Sequence, residues 1–346
     1  MPLYTYTMEQ AEQWDKAVRS FASYDVYYLS GYVKAFQLHG DGQPHLLCYE
    51  GGDVRGIHVI MKRDIADDAF FTDKITRDTL FDCITPYGYG GWLIEGEGDR
   101  APLFAAYEAW CRDNRIVSEF VRFHPMLNNA EDSASFYQVV ALGKTVAMDL
   151  SSPETVWANL TSKNRNMVRK AQKSGVKIYD GQLPQIYATF KKIYNATMDS
   201  DNAKPYYYFS DEFYDSIRKD LAEESRIFWA EADGKIIAAS IMLSANGYMS
   251  YHLSGSLREY QYMAPSNLLL YKAALWGCSN SCKSLHLGGG VGSKADSLYA
   301  FKSAFNRQEP RQFFIGKKIH LPDEYRRLAQ MKGEAADDGF FPQYRA

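Results

Sequence analysis

The segment from Leu285 to Asn306, "LHLGGGVGSKADSLYAFKSAFN", concentrates residue types able to do chemistry. Gly288, Gly289 and Gly290 follow a short apolar run, and a turn without Cβ atoms lets backbone N–H groups approach an anion or a carbonyl. Lys302 lies between Phe301 and Phe305, which are four apart and share a helix face. A lysine beside such a face is partly desolvated. A fixed ammonium there suits reactions in which an oxygen gains negative charge, such as attack of an amine on an acyl ester. Asp296 is the loop's candidate for proton removal. The segment is not a phosphate loop, because G-x-x-x-x-G-K-[ST] wants a lysine where "GGGVGSK" has Ser293.

A second stretch carries charge. "TSKNRNMVRKAQKSGVKIY", from Thr161 to Tyr179, contains Lys163, Arg165, Arg169, Lys170, Lys173 and Lys177 and no acid. Arg165, Arg169 and Lys173 fall at i, i+4 and i+8 on one helical face, with Val168 and Ala171 turned inward. Ser162 is the expected cap and Gly175 the expected stop. Without interleaved glutamates the face suits phosphate contact; its alternative is a solvated basic surface. The net charge of −3 excludes a general nucleic-acid binder, and no DNA partner is expected.

Other constellations are weaker. Cys278, Cys282 and His286 read C-x3-C-x3-H without a fourth ligand, so no metal site is expected. Five cysteines, an odd number in 346 residues, fit a reducing compartment better than a disulfide framework. No serine or cysteine nucleophile with partners is legible, and His124 and His252 sit in strand-like contexts that read as structural. There is no apolar run of membrane-spanning length and no secretory leader pattern. The expected address is cytoplasmic, with peripheral membrane contact left open.

These groups must be positioned by an α/β scaffold. "HLLCYEGGDVRGIHVIMK" (His45 to Lys62) and "RIFWAEADGKIIAASIML" (Arg226 to Leu243) each read as two strands around a tight turn. Each hairpin follows amphipathic helical segments: Met8 to Phe21 in the first case, Leu183 to Met198 and Asp211 to Leu221 in the second. After the first hairpin come "TPYGYGGW", a helix near Pro102 to Asn114 and a strand, "SEFVRFHP". "YMSYHLSGS", a helix near Ser266 to Ser279 and a strand, "SLHLGG", follow the second. The repetition predicts an internal duplication of one α/β (α+β) unit with a mixed sheet. The order of elements is that of the GNAT acyltransferase fold.

"WANLTSKNRNMVRKAQKSGV", followed downstream by "YHLSGS", "LHLGGG" and "LYAFKSAF", resembles the FemABX family, bacterial enzymes of tandem GNAT-like domains that attach amino acids to cell-wall precursors. "TPYGYGG" and "FVRFHP" resemble first-domain signatures of relatives of that family. No sustained heptads provide the coiled-coil arm of some members, so the shorter form is expected. The expected domains are residues 1–148, joined by 312–346, and residues 149–311.

The resemblance implies roles. Phe301 and Lys302 match the pair that meets the aminoacyl donor. Tyr251 and Ser254 of "YHLSGS", with Gly288, Gly289 and Gly290, fall on the substrate side. On the acceptor side, Lys34 of "SGYVKAF" resembles a basic residue that holds the precursor's diphosphate. Lys204 stands where the family has an arginine, and Tyr87 and Tyr89 are candidate cleft residues on a flexible segment. Arg165, Arg169 and Lys173 are the candidates for contact with tRNA or another phosphate ligand.

CoA-dependent GNAT proteins hold pyrophosphate with [QR]-x-x-G-x-[GA] at a helix N-terminus. "REYQYMAPSNLLLYKAALW" has no glycine there, and Glu95, Glu97 and Asp99 precede the corresponding first-domain helix. The expected activity is therefore transfer of an aminoacyl group from aminoacyl-tRNA to an amine of a nucleotide- or lipid-linked cell-wall precursor, with no bound cofactor. The alternatives are an acyl-CoA-dependent N-acyltransferase acting on an amino sugar and a non-catalytic binding protein on this fold.

Overall fold

A computed structural model describes residues 3–333 and 339–346. The chain divides into two compact units, Met1–Leu142 with Phe313–Ala346, and Gly143–Gln312. The divide falls inside the strand Gln138–Asp149, a little before the expected boundary.

In the first unit the helices Ala11–Arg19 and Ser30–His39 precede the hairpin Gln43–Gly51 and Val54–Asp64, paired antiparallel from Gln43↔Lys62 to Gly51↔Val54. The strand Phe81–Ile84, the helix Ala101–Asp113 and the strand Ile116–Arg122 follow, and the two strands pair in parallel. The C-terminal strand Arg311–Ile319 closes this sheet antiparallel to Ile116–Arg122. Trp92, Leu103, Tyr107, Ile116 and Val121 form its dry centre.

One charge is built into that centre. Glu119 is buried and accepts from His58 Nε2 at 2.6 Å and from the Tyr137 hydroxyl at 3.0 Å, with His320 Nε2 at 3.4 Å. Burial alone would raise its carboxyl, but the bonds from His320 and His58 outweigh that and hold it at about 2.

The second unit repeats the order. Helices Pro184–Ser200 and Asp211–Asp220 precede the hairpin Ser225–Ala232 and Lys235–Ala245. Then come the strand Tyr248–Ser256, the helix Pro265–Ser279 and the strand Ser284–Gly288, again in parallel with its predecessor. The lead-in strand Gln138–Asp149 pairs antiparallel with Ser284–Gly288, the counterpart of the closing strand in the first unit. Its core gathers Leu160, Val168, Ala171, Leu269, Leu285 and Phe305. Among the described residues, no helix is long and apolar enough to cross a membrane.

Candidate functional site

The site is assembled in the second unit where two parallel strands part. Tyr248–Ser256 and Ser284–Gly288 are in register only from Tyr248↔Ser284 to Ser250↔His286 among the described residues. Past Ser250 the first strand keeps its antiparallel partner Lys235–Ala245 and, among the described residues, no longer pairs with Ser284–Gly288; at its far end Ser256 bonds Thr197 of the helix Pro184–Ser200 instead. A bulge at this point matches Met242 with Tyr251 and Ile241 with Leu253, leaving His252 as the extra residue. Burial pushes the His252 imidazole down to about 3, which keeps it neutral.

Tyr251 and Ser254 lie on this diverging half. Ser254 Oγ accepts from Ser240 Oγ at 2.8 Å. The Tyr251 phenol is raised by burial, against the opposing effect of hydrogen bonds with Ser254 and Ser240.

Across the gap the chain leaves its strand as the triple glycine. Gly288 takes φ of 76°, a left-handed conformation that suits glycine. Gly290 is required by packing, because a Cβ there would strike the Lys294 carbonyl and the Asp296 carboxylate. The three glycines therefore shape a tight turn wrapped around Asp296. Asp296 Oδ2 accepts from the Val291 N–H at 2.9 Å and Oδ1 from the Tyr299 N–H at 2.8 Å. It is the N-cap of the helix Ser297–Ser303, with its carboxyl lowered by those backbone bonds. The expectation that Asp296 removes a proton meets a carboxylate already committed on both oxygens.

Lys302 comes from that helix and is 9% exposed. Its Nζ donates to the Gly289 carbonyl at 2.7 Å. Burial lowers its ammonium to about 8, against the attraction of Asp296. Phe301 and Phe305 meet edge to face at 5.3 Å, and Phe305 is fully buried. The lysine is thus a buried positive charge held by a carbonyl of the glycine turn.

The basic helix spans Ser162–Lys173, and its cap is Thr161 rather than Ser162: Thr161 Oγ1 accepts from the Asn164 N–H at 3.2 Å. The hydrophilic residue nearest the periodic run is not always the cap; here the extended backbone is at Thr161. Val168 and Ala171 are buried as the spacing requires. The three candidate cations differ. Arg165 is half-buried and donates to the Leu160 carbonyl at 2.6 Å and to Ser162 Oγ, closing the end of the helix Pro153–Asn159. Arg169 is exposed over the Trp157 ring at 5.1 Å, and Lys173 is exposed on the last turn.

Lys204 is exposed and begins the short turn Pro205–Tyr207 of the second unit. Lys34, Tyr87 and Tyr89 belong to the first unit. Lys34 lies half-buried on Ser30–His39. Tyr87 stacks on Phe36 at 5.5 Å, and Tyr89 packs edge-on against Tyr27 and His124. Their segment is pinned rather than flexible: the Tyr32 hydroxyl donates to the Tyr87 carbonyl, and Asn129 Nδ2 to the Gly90 carbonyl at 2.8 Å. His124 is held between Asp25, 2.8 Å from its Nε2, and the Met126 N–H on Nδ1, a structural arrangement.

Sequence reasoning passes over Asn164. It is 1% exposed, and its amide joins the basic helix to the segment after Lys302. The signal is an asparagine three residues beyond the cap, on the inward side of a helix whose other inward residues are apolar.

Residues 162–303 match the family described as acetyltransferase (GNAT) domain. A UDP-N-acetylmuramoylpentapeptide-lysine N(6)-alanyltransferase of Weissella viridescens is 27% identical over 177 residues, 49% of this chain and 50% of that protein. The chain therefore aligns with about half the length of this curated relative. The crystal structure of FemX superposes with a TM-score of 0.69 over 94% of this chain and 99% of that one, at 11% identity. The chain thus carries a GNAT domain and is similar in fold to FemX and in sequence to a Fem-type alanyltransferase. The fold is also approached by the C-terminal domain of a putative lysylphosphatidylglycerol synthetase from Agrobacterium fabrum, with a TM-score of 0.56, 15% identity, and coverage of 89% of this chain and 91% of that one. The parted strands, the glycine turn and Lys302 all lie within the matched GNAT segment.

Proposed function

We propose that this protein is an aminoacyltransferase that moves an aminoacyl group from aminoacyl-tRNA onto an amine of a peptidoglycan precursor. The observation that carries the reading is the buried Lys302 ammonium held on the Gly289 carbonyl. The incoming amine forms a C–N bond to the ester carbonyl while the C–O bond to the ribose breaks. The proton lost by the amine ends on the ribose hydroxyl. Negative charge appears first on the carbonyl oxygen and then on the leaving oxygen, and a preorganised ammonium in a dry site stabilises both. No covalent enzyme intermediate is needed.

The alanyltransferase relative, by its name, acts on a muramoylpentapeptide lysine, which supports a precursor amine as acceptor. Arg169 and Lys173, exposed on a helix without acids, support a polyanionic donor. A CoA donor has less support, since the first turn of Pro265–Ser279 carries no glycine and Asn267 there donates its amide to Asn164. A charged tRNA and a nucleotide-linked precursor would be met in the cytoplasm, which is the compartment this reading requires. The test is steady-state kinetics of Lys302→Met with charged tRNA and precursor. The expected loss is about 10²- to 10³-fold in kcat with little change in KM. Full activity in that variant removes Lys302 from the mechanism.

A further inference from the structure

Around Lys302 the second unit contains a polar relay, centred on the buried Asn164, that the chemistry above does not use. Asn267, in the first turn of Pro265–Ser279, donates from Nδ2 to Asn164 Oδ1 at 2.7 Å. Asn164 Nδ2 donates in turn to the Ala304 carbonyl at 3.2 Å, and the Thr161 N–H reaches the same carbonyl at 3.0 Å. Ala304 is the C-cap of the helix that carries Lys302. The neighbouring chain is stitched in the same way: the Arg307 N–H donates to the Asn159 carbonyl at 3.0 Å, and Asn306 Nδ2 to the Ala147 carbonyl at 2.6 Å.

Ser297–Ser303 is only seven residues long, so its own helical bonds cannot fix where the Lys302 stem points. Its N-terminal end is tied by Asp296 and its C-terminal end by Ala304. A buried amide with both its donor and its acceptor side engaged is a rigid spacer, because moving any one partner leaves a polar group unsatisfied. Asn164 is also the third residue of the basic helix, whose outer face carries Arg169 and Lys173.

The geometry points to Asn164 as a positioning residue: it couples the basic helix to the Lys302 helix, so that a phosphate ligand seated on Arg169 and Lys173 fixes the placement of the Lys302 ammonium. This inference rests on the aminoacyltransferase reading for its kinetic consequence and on the hydrogen bonds alone for its mechanical one. The two parts are separable.

The experiment uses the full chain with Asn164→Asp, which keeps an oxygen for Asn267 and loses the donor to Ala304. Three quantities are read with charged tRNA and precursor: kcat, KM for tRNA, and the pH at which kcat declines on the alkaline side. Amide hydrogen exchange at Ala304, Phe305 and Asn306, whose N–H groups close the end of the Lys302 helix, is read in parallel without substrate. The expected result is a fall in kcat of tenfold or more with KM within twofold, a displaced alkaline limb, and exchange at those amides at least tenfold faster. Wild-type kcat together with wild-type exchange overturns the inference, as does a loss of kcat in folded protein with exchange at those amides unchanged. Should Asn164→Asp fail to fold, Asn267→Ala removes only the anchor of the relay, and the same readouts decide. If the wild type transfers no aminoacyl group, the functional reading falls, and faster exchange in the variant still upholds the mechanical coupling while unchanged exchange removes it.

Discussion

Lys302 Nζ and the Gly289 carbonyl oxygen are 2.7 Å apart, and this contact joins the helix Ser297–Ser303 to the glycine turn where it leaves the strand Ser284–Gly288. The ammonium is desolvated yet retains a partner, so it stays charged near neutrality and is fixed in direction. Its value of about 8 sets a limit on the pH range of the chemistry. On the proposed mechanism, the charge that would stabilise the developing oxyanion is lost above it. The kcat profile should therefore decline with rising pH along a single-proton limb centred near 8, read with an acceptor amine saturating throughout. The same shift has the opposite effect on stability. Because the unfolded chain holds this proton more tightly, folding gains from Lys302 as pH rises from about 8 towards the ordinary lysine value of about 10.4.

Asp296 separates a structural carboxylate from a general base. Asp296→Asn retains an acceptor oxygen for one of the two backbone N–H groups and abolishes any proton acceptor. We expect it to lower the melting temperature and to reduce kcat less than Lys302→Met does, with the acid side of the kcat profile unmoved. Loss of the acid limb would restore Asp296 to the proton-transfer role.

The basic helix should divide into two classes of cation. Arg169→Gln with Lys173→Gln is expected to weaken tRNA binding and to leave the melting temperature unchanged. The dependence of log Kd on log salt should become shallower by about 1 for each phosphate that these two side chains no longer neutralise. Arg165→Gln should instead lower stability, since its guanidinium closes the end of Pro153–Asn159 through the Leu160 carbonyl. Filter binding at several salt concentrations with parallel thermal melts distinguishes them.

Glu119 gives the first unit a pH dependence of its own. Its carboxyl is held below the unfolded value, so the stability it contributes is present above about 4.3 and is lost as pH falls towards 2. Glu119→Gln should destabilise by about 3 kcal/mol at pH 7, the scale for breaking a buried charge network, and flatten urea stability between about pH 5 and pH 2. An unchanged acid profile would show that Glu119 is not the group that titrates.

The architecture is legible in the sequence because its signals are local. Two hairpins with glycine-containing turns, each followed by a strand, a helix and a strand, announce the duplication, and Val168 with Ala171 announces the inward face of the basic helix. Lys302 stands out for the same reason, its aromatic neighbours being close in sequence. What is not legible depends on pairs far apart in the chain. Asn164 meets Ala304 and Asn267, Glu119 meets His58 and His320, and nothing in any one segment reveals those partners. The partners of Asp296 are hidden for a related reason: the Val291 and Tyr299 N–H groups that bind its carboxylate are brought there by the turn, not marked by residue type. Arg165 shares a helical stripe with Arg169 and Lys173, but periodicity does not see the carbonyls of the preceding helix.

The most direct measurement follows a radiolabelled amino acid from charged tRNA to a lysine-containing UDP-N-acetylmuramoylpentapeptide. The wild-type protein should move label into the precursor as an alkali-stable amide, and Lys302→Met should slow single-turnover transfer by about 10²-fold or more at saturating tRNA. Transfer undiminished in Lys302→Met, or a wild-type protein that ignores every aminoacyl-tRNA while acylating amines from acetyl-CoA, would contradict the account.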